Sequence, residues 1–198
     1  MKKRGRWWII LGILFLLTAI SLACYNLWDE ARAEETTSKV LMELESKIET
    51  DEIFQKMYEE FPEKEMPVVK AEEYSYIGIL KIPSLGLELP VMEDWSYPKL
   101  KISPCRYDGS AYQNNLIISA HNYACHFGNL KSLPQGAYIS FTDMDGNVFE
   151  YEVVEMEIIQ PFGVNEMKDG DWDLTLFTCT YGGQSRVTIR CKLIEKLS

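Results

Sequence analysis

An uncharged, apolar stretch of 22 residues, Trp7 to Trp28, constrains the fold of this chain more than any other feature. As an α-helix that rises about 1.5 Å per residue it is roughly 33 Å long, which matches a bilayer hydrocarbon core of about 30 Å. Aromatic rings lie near both ends of the stretch, where amphipathic side chains favour the membrane interface. We therefore predict a transmembrane signal anchor at residues 7–28.

Basic side chains precede this anchor, at Lys2, Lys3, Arg4 and Arg6. By the positive-inside rule they predict a cytoplasmic tail at residues 1–6, a single-pass protein of the cell membrane and an extracellular remainder. Two other interpretations stay open: a signal peptide cleaved at Ala31-Arg32-Ala33, or a lipoprotein signal acylated at Cys24. Each of the three interpretations places the rest of the chain outside the cell.

The net charge of −10 is the sum of two unlike parts. Four basic residues belong to the tail, and the chain after the anchor has 16 basic and 30 acidic residues. A strongly acidic exported part lacks the basic footprint that binding to phosphate backbones requires. The charge pattern therefore excludes a nucleic-acid partner.

A helical pattern follows the anchor. Residues 29–61 contain no glycine or proline, and apolar residues recur at helical spacing at Leu41, Leu44 and Ile48 and again between Phe54 and Phe61. An interruption at Thr50-Asp51 can cap a second helix. We predict a helical stalk or linker at residues 29–73, whose apolar stripe packs on the domain that follows.

From residue 74 onward the sequence consists of short β-like runs separated by turn residues. The candidate strands are Tyr76–Ile82, Leu87–Met92, Asn115–Ala120, Ala137–Phe141, Val148–Ile159, Leu174–Cys179 and Val187–Leu193. Asp145-Gly146 indicates a hairpin turn between two of them. Seven or eight strands in about 125 residues predict a mainly β domain at residues 74–198, a small barrel or a sandwich with short helices.

Only two histidines occur in the chain, so an enzyme that uses an imidazole must use His121 or His126. His121 follows the apolar run Asn115–Ala120 and stands at the end of a predicted buried strand, where a side chain can emerge at the rim. His126 begins a short helical stretch, and we interpret it as a surface or capping residue. A metal site made of His121, Cys125 and His126 has no evident fourth ligand, so we predict no metal site.

The residues around Cys179 predict an antiparallel hairpin, because two β-rich runs flank the glycine-containing residues 180–185. With those residues as the turn, Cys179 lies opposite Arg186, with Cβ atoms about 4.5–5.5 Å apart. Arg190 is about 13 Å further along the strand. A guanidinium beside a thiol favours the nucleophilic thiolate and can donate to an oxyanion. The residues alone leave Cys179 either a nucleophile or a buried cysteine.

The other cysteines are Cys24, Cys105, Cys125 and Cys191. The predicted exported domain contains Cys105, Cys125, Cys179 and Cys191, which could form two disulfides, although no paired CxxC spacing occurs among them. Cys191 shares the face of a strand with Val187 and Ile189, so we predict a buried, hydrophobic role for it. The disulfide state of Cys105 and Cys125 stays open.

Thr175-Leu-Phe-Thr-Cys179 is similar to the Thr-Leu-x-Thr-Cys box of the sortase family, the membrane-anchored cysteine transpeptidases of Gram-positive bacteria. The strand that begins at Arg186 and the strand-end histidine of Ile118-Ser-Ala-His121 resemble the other two signatures of the family. Residues 76–83 and 85–91 look like its first two strands. The resemblance covers about residues 74–194 in the family's order. Asp94-Trp95-Ser96 is similar to the lid motif of pilin-polymerising sortases, but it follows the second strand, so we interpret it as a loop.

The resemblance implies a closed sortase-type β-barrel of about eight strands. It implies that Cys179 is the nucleophile, His121 the general acid and base, and Arg186 the group that stabilises the oxyanion or orients the substrate. The implied reaction cleaves an LPXTG-like C-terminal signal of a surface protein through a thioester and transfers the protein to an amine of a cell-wall precursor or a pilin lysine. No metal or organic cofactor is required, although some relatives bind calcium.

Two alternatives to a transpeptidase stay open at this point. A cell-wall peptidase with the same cysteine and histidine would let water complete the reaction. A non-catalytic, membrane-tethered interaction domain would keep the barrel without activity. The sortase class, the sorting signal, the amine acceptor and the oligomeric state do not follow from the sequence.

Overall fold

The computed structural model describes residues 2–48 and 61–194. Three helices lie in these ranges: α1 Lys2–Glu45, α2 Tyr97–Leu100 and α3 Val164–Lys168. The strands are β1 Val69–Ala71, β2 Tyr74–Ile82, β3 Leu87–Met92, β4 Cys105–Asp108, β5 Leu116–Ser119, β6 Tyr138–Asp143, β7 Val148–Ile159, β8 Leu174–Cys179 and β9 Arg186–Leu193. Short 3-10 turns at Pro83–Leu85, Ala111–Gln113, Leu130–Ser132 and Tyr181–Gly183 connect them.

The strands form one sheet in the order β1-β2-β3-β4-β5-β8-β9-β7-β6, and a further pairing of β2 with β6 closes it. Eight strands therefore form a closed barrel, while β1 extends the sheet beside β2. Closure requires a close approach at Gly78 of β2, where an added Cβ would lie 2.2 Å from the carbonyl oxygen of Thr142. The predicted barrel of about eight strands is confirmed.

All seven predicted strands match observed ones to within two residues at each end. The hairpin at Asp145-Gly146 is also confirmed, since Gly146 joins β6 to β7 with a φ of +80° that favours glycine. Two strands, β1 and β4, were missed. Each is only three or four residues long.

Successive side chains along each strand point alternately into the barrel core and toward its outer face. In β8, Leu174 and Leu176 belong to the barrel core, and so does Ile189 of the adjacent β9. Phe177 points the other way and packs with Ile117 of β5 in a second, external cluster. Because successive side chains alternate between faces, Cys179 lies on the outer face with Phe177.

The N-terminal helix α1 is continuous from the apolar stretch into the region predicted as the stalk. It is long and apolar enough to cross a membrane, with a mean hydropathy of 2.3 over its most apolar window. Its later turns pack on the barrel, where Val40 and Leu44 are buried with Tyr76 of β2 and Met92 of β3. The predicted apolar stripe is thus present, whereas the predicted second helix lies outside the described residues.

Candidate active site

Parallel pairing of β5 with β8 aligns the end of the histidine strand with the end of the cysteine strand. The register runs from Leu116–Leu174 to Ser119–Phe177. It continues past β5, because the Ala120 amide donates to the Phe177 carbonyl oxygen (3.2 Å) and Thr178 Oγ1 donates to the Ala120 carbonyl oxygen (2.9 Å).

His121 and Cys179 each stand two residues beyond the aligned pair Ser119–Phe177. In-register neighbours on adjacent strands share a face and are separated by about 4.8 Å across the sheet. Because His121 lies beyond the end of β5, the pairing brings its backbone and that of Cys179 to the same edge of the barrel.

The hairpin of β8 and β9 sets the position of the arginine. Cys179 and Arg186 are directly opposed partners, which is the register predicted from the turn. The Arg186 Nη1 donates to the carbonyl oxygens of Gly183 (3.2 Å) and Ser185 (3.1 Å), in the turn between the strands. The guanidinium is thereby held by its own turn, one strand away from the thiol.

Arg190 occupies a different environment, because it is opposite Thr175 and only 2% exposed. Its guanidinium forms an ion pair with the carboxylate of Glu157, to which Nε donates a hydrogen bond. It also donates to the carbonyl oxygens of Glu166 (2.6 Å) and Met167 (2.8 Å). These contacts attach α3 to the barrel wall. Of the two arginines, Arg186 lies beside the thiol and Arg190 anchors α3.

A groove with a volume of about 330 Å³ lies on the outer face of the barrel, and Cys179 and Arg186 line it. Apolar side chains form most of the other lining positions, including Trp95, Tyr97, Tyr107, Val164, Met167 and Phe177. The rings are in contact: Trp95 lies 5.4 Å from Tyr107, which meets Phe177 edge-on at 5.1 Å between centroids. Such a groove can bind an extended apolar peptide beside the thiol.

The His121 side chain is half-buried, and burial lowers its pKa from the ordinary value of 6.5. The side chain of Asn122 partly opposes this effect. The imidazole is therefore mostly neutral at neutral pH, the form in which it can accept a proton. Its ring stacks on the Tyr123 ring, with 4.1 Å between centroids and an interplanar angle of 11°.

The interpretation of His126 as a surface residue was wrong. His126 is 0% exposed, because α1 covers the loop that carries it, and Thr37 Oγ1 of α1 lies 3.4 Å from its Nε2. Burial lowers the pKa of His126 to about 4. No group of three or more His, Cys, Asp or Glu side chains suited to a metal ion occurs within residues 2–48 and 61–194.

All five cysteines are free thiols, but their environments differ. Cys179 is exposed, whereas Cys191 is fully buried in the core, as predicted. Burial raises the pKa of Cys191 and of Cys105 to about 12, and that of Cys125 to about 11. A high pKa and burial keep these three thiols protonated and unreactive.

Comparison with protein families gives a match to the sortase domain over residues 80–194. The chain belongs to the sortase family. The matched range contains all three candidate residues, and the resemblance read from the Thr175–Cys179 box is confirmed at the level of the family. No curated protein matches the chain.

Solved sortase structures share the fold. Sortase C of Streptococcus pneumoniae aligns with a TM-score of 0.63 at 20% identity, over 80% of this chain and 97% of that one. A sortase D5 transpeptidase of Clostridium perfringens gives 0.61 at 22% identity, over 81% and 99%. A lid mutant of Sortase A from Corynebacterium diphtheriae gives 0.55 at 22% identity, over 63% and 73%.

Two residues at or near the candidate site, Trp95 and Asp29, were not recognised in the sequence. Trp95 was assigned to a loop, which is correct, but its position in the groove was not expected. The signal was present as an aromatic cluster of Trp95, Tyr97 and Tyr107 within 13 residues. Asp29, which contacts the loop after His121, had no comparable signal because its partner Tyr123 is distant in the chain.

Proposed function

We propose that this chain is an extracellular, membrane-anchored cysteine transpeptidase with Cys179 as nucleophile, His121 as general acid and base, and Arg186 as oxyanion or substrate ligand. The observation that carries the proposal is the strand register. Parallel pairing of β5 with β8 and antiparallel pairing of β8 with β9 bring the backbones of His121, Cys179 and Arg186 to one edge of the barrel, which supports acyl transfer by these three residue types.

The first half-reaction forms a thioester. Cys179 Sγ attacks the scissile carbonyl carbon, and the thiol proton passes to the neutral imidazole of His121. Negative charge develops on the carbonyl oxygen, where the Arg186 guanidinium can donate a hydrogen bond. Collapse of the tetrahedral intermediate breaks the C–N bond, and the imidazolium of His121 gives its proton to the departing amine.

The second half-reaction transfers the acyl group. An incoming amine attacks the thioester carbonyl, and His121 accepts the amine proton. The C–S bond breaks, and the Cys179 thiolate leaves and regains its proton from His121. The product is a new amide, and water in place of the amine would give hydrolysis instead.

The proposed substrate is a surface protein with an LPXTG-like C-terminal signal, and the proposed acceptor is an amine of a cell-wall precursor or a pilin lysine. The apolar groove beside Cys179 supports a peptide substrate that carries apolar residues upstream of the scissile bond. An anchor at residues 7–28 supports substrates on the same membrane, because confinement to one surface raises the effective concentration.

The test uses the full chain in detergent, a panel of LPXTG-like peptides and an added primary amine. We expect cleavage after the threonine and formation of the amide product, with Cys179→Ala reducing turnover by at least about 10³-fold. The matched control is Cys191→Ala, whose thiol is in the core rather than in the groove. Cleavage that survives Cys179→Ala would contradict the proposal, and hydrolysis alone at high amine concentration would identify a peptidase.

A further inference from the structure

The His121 ring is contacted on its face by the Tyr123 ring and makes no hydrogen bond at Nδ1 within the described residues. That nitrogen is buried and has no hydrogen-bond partner in the part of the chain that the structure describes. In catalytic triads a carboxylate at Nδ1 orients the imidazole. Here the ring has a flat contact with Tyr123, 4.1 Å between centroids, and a side-chain hydrogen bond with Asn122.

The Tyr123 ring is in turn attached to the anchor helix. Its hydroxyl donates to Asp29 Oδ2 of α1 at 2.5 Å. Asp29 is only 5% exposed, and the hydrogen bond from Tyr123 is the main reason that its pKa is lowered. Burial raises the pKa of Tyr123, so at neutral pH a neutral phenol donates to a charged carboxylate, which is a strong type of hydrogen bond.

Further contacts join α1 to the same loop. Glu30 Oε1 accepts a hydrogen bond from the Ala124 amide at 2.6 Å, and the Glu30 carbonyl oxygen accepts one from Cys125 Sγ at 3.8 Å. Lys101 Nζ lies 3.7 Å from Asp29 Oδ2 on the opposite side. The loop that follows His121 is therefore fixed by the first turn of α1 beyond the apolar stretch.

We propose that Tyr123 is a positioning residue for His121 and that Asp29 of the anchor helix holds it in place, so that the anchor is part of the catalytic machinery. This inference rests on the proposed role of His121. Neither Tyr123 nor Asp29 lines the groove that contains Cys179. They act through the imidazole, by restricting its rotation and by excluding water from one of its faces.

The groups that face His121 determine the sign of the expected change. Burial and the charge of Lys101 disfavour the imidazolium, whereas the side chain of Asn122 and the charge of Asp29 favour it. The neighbouring His126 has its own pKa lowered by burial and by His121. Removal of the Tyr123 ring hydrates the imidazole and releases the Asp29 carboxylate from its partner. Both changes raise the pKa of His121 toward 6.5. Tyr123, on the same loop, is a further titratable group in contact with the ring.

The experiment uses full-length protein in detergent with isotopically labelled histidine. Because the chain has only two histidines, His121→Gln assigns both ring signals. We expect the pKa of His121 to lie below 6.5 in the parent protein, to rise clearly in Tyr123→Ala and to rise less in Tyr123→Phe, which keeps the stacked ring. The control is Tyr138→Phe, which removes another hydroxyl-to-carboxylate bond, that to Glu150 Oε1.

Kinetics with the same variants give a second readout. Tyr123→Ala is expected to lower kcat about tenfold with KM within about twofold, and to move the acidic limb of the pH profile upward. Asp29→Asn and Tyr123→Phe should give smaller changes of the same kind, and Tyr138→Phe none. Unchanged His121 titration and unchanged kcat in folded Tyr123→Phe and Tyr123→Ala would overturn the proposal, as would equal effects of the Tyr138→Phe control.

The two readouts distinguish the inference from the proposed function. The histidine titration needs no substrate, so a pKa that moves in Tyr123→Ala supports the positioning contact even if no peptide is transferred. A titration that does not move, in a protein that transfers peptides normally, overturns the positioning role and leaves the transpeptidase intact.

Discussion

Cys179 and Cys191 belong to adjacent antiparallel strands, but they lie on opposite faces of the barrel wall. Cys179 is exposed beside the groove, and Cys191 is in the core with a pKa raised to about 12. A thiol reacts only when it is accessible and can ionise. The strand alternation thus separates two chemically identical side chains into a reactive and an inert one.

A labelling experiment tests this difference. We expect iodoacetamide to modify Cys179 in the native protein and to leave Cys191 and Cys105 unmodified until the protein is unfolded. Mass spectrometry of peptides from native and denatured samples measures the two rates. Equal modification of Cys179 and Cys191 in the native protein would show that the face assignment is wrong.

The two arginines of β9 give a second prediction at the residue scale. Arg186→Ala should lower kcat/KM by about 10- to 100-fold with little change in the free energy of unfolding, because its guanidinium lies at the groove. Arg190→Ala should lower that free energy by about 3 kcal/mol, because it leaves the partners of a buried charge unsatisfied. Kinetics and denaturant titration of both variants measure the contrast, and a reversed pattern would contradict it.

Sequence reasoning predicted the cross-strand pairing of Cys179 with Arg186 correctly, because a tight hairpin relates them locally and turn length sets the register. It failed for His126 because the surface that buries this residue comes from α1, 89 residues earlier in the chain. Burial by a distant element leaves no pattern near the buried residue. The same reason explains why Asp29 and Tyr123 were not connected.

At the scale of elements, the segment from the end of β3 through α2 forms one wall of the groove. Trp95→Ala should raise KM for the peptide about five- to tenfold and leave kcat within about twofold, because the ring contacts the groove but not the reacting atoms. Tyr138→Ala is a matched control, since Tyr138 has 40% exposure against 39% for Trp95 and lies on β6. A fall in kcat with constant KM in Trp95→Ala would be contrary to this role.

The strands that were predicted and those that were missed differ in length and in regularity. Runs such as Val148–Ile159 are long and rich in β-formers, so local patterns identify them. Strand β4 has four residues, a register shift between Arg106 and Asp108, and a single parallel pair to β3. Its formation depends on non-local pairing inside the closed barrel, which sequence periodicity does not reveal.

Docking of α1 on the barrel should depend on pH through Asp29. Its lowered pKa means that the carboxylate stabilises the folded protein above the ordinary carboxyl pKa of 3.8, and that this contribution is lost as the pH falls through the lowered value. Asp29→Asn should lower the stability by about 1 kcal/mol at pH 7, or Tm by about 2–4 °C, and by less near pH 3. Thermal melts in detergent measure this.

The matched control for that measurement is Asp171→Asn. Asp171 also pairs with a basic side chain, that of Lys192, but it is fully exposed. Exposed ion pairs contribute little, so we expect no difference from the parent protein at either pH. A constant destabilisation by Asp29→Asn at pH 7 and pH 3 would contradict the role of its charge.

At the scale of the whole molecule, one continuous helix, α1, connects the apolar stretch to the loop that follows His121. Asp29 follows directly after Trp28, the last residue of the apolar stretch, and it contacts the loop of His121. Insertion of four alanines between them should extend the helix by about 6 Å, one turn, without altering the docking contacts. We expect unchanged turnover of a soluble peptide and reduced transfer of a membrane-tethered one, as measured in vesicles. Equal effects on both substrates would contradict a membrane-proximal active edge.

The continuity of α1 also determines what a cut in this helix would do. Ala33, which is buried against the barrel, stands only four residues after Asp29. A protease that cut there would release the barrel from the membrane and would remove Asp29 and Glu30 from the loop of His121 in the same event. If Asp29 positions Tyr123 as proposed, shedding would also lower the turnover, so that barrels lost from the cell surface would process substrates more slowly than anchored ones.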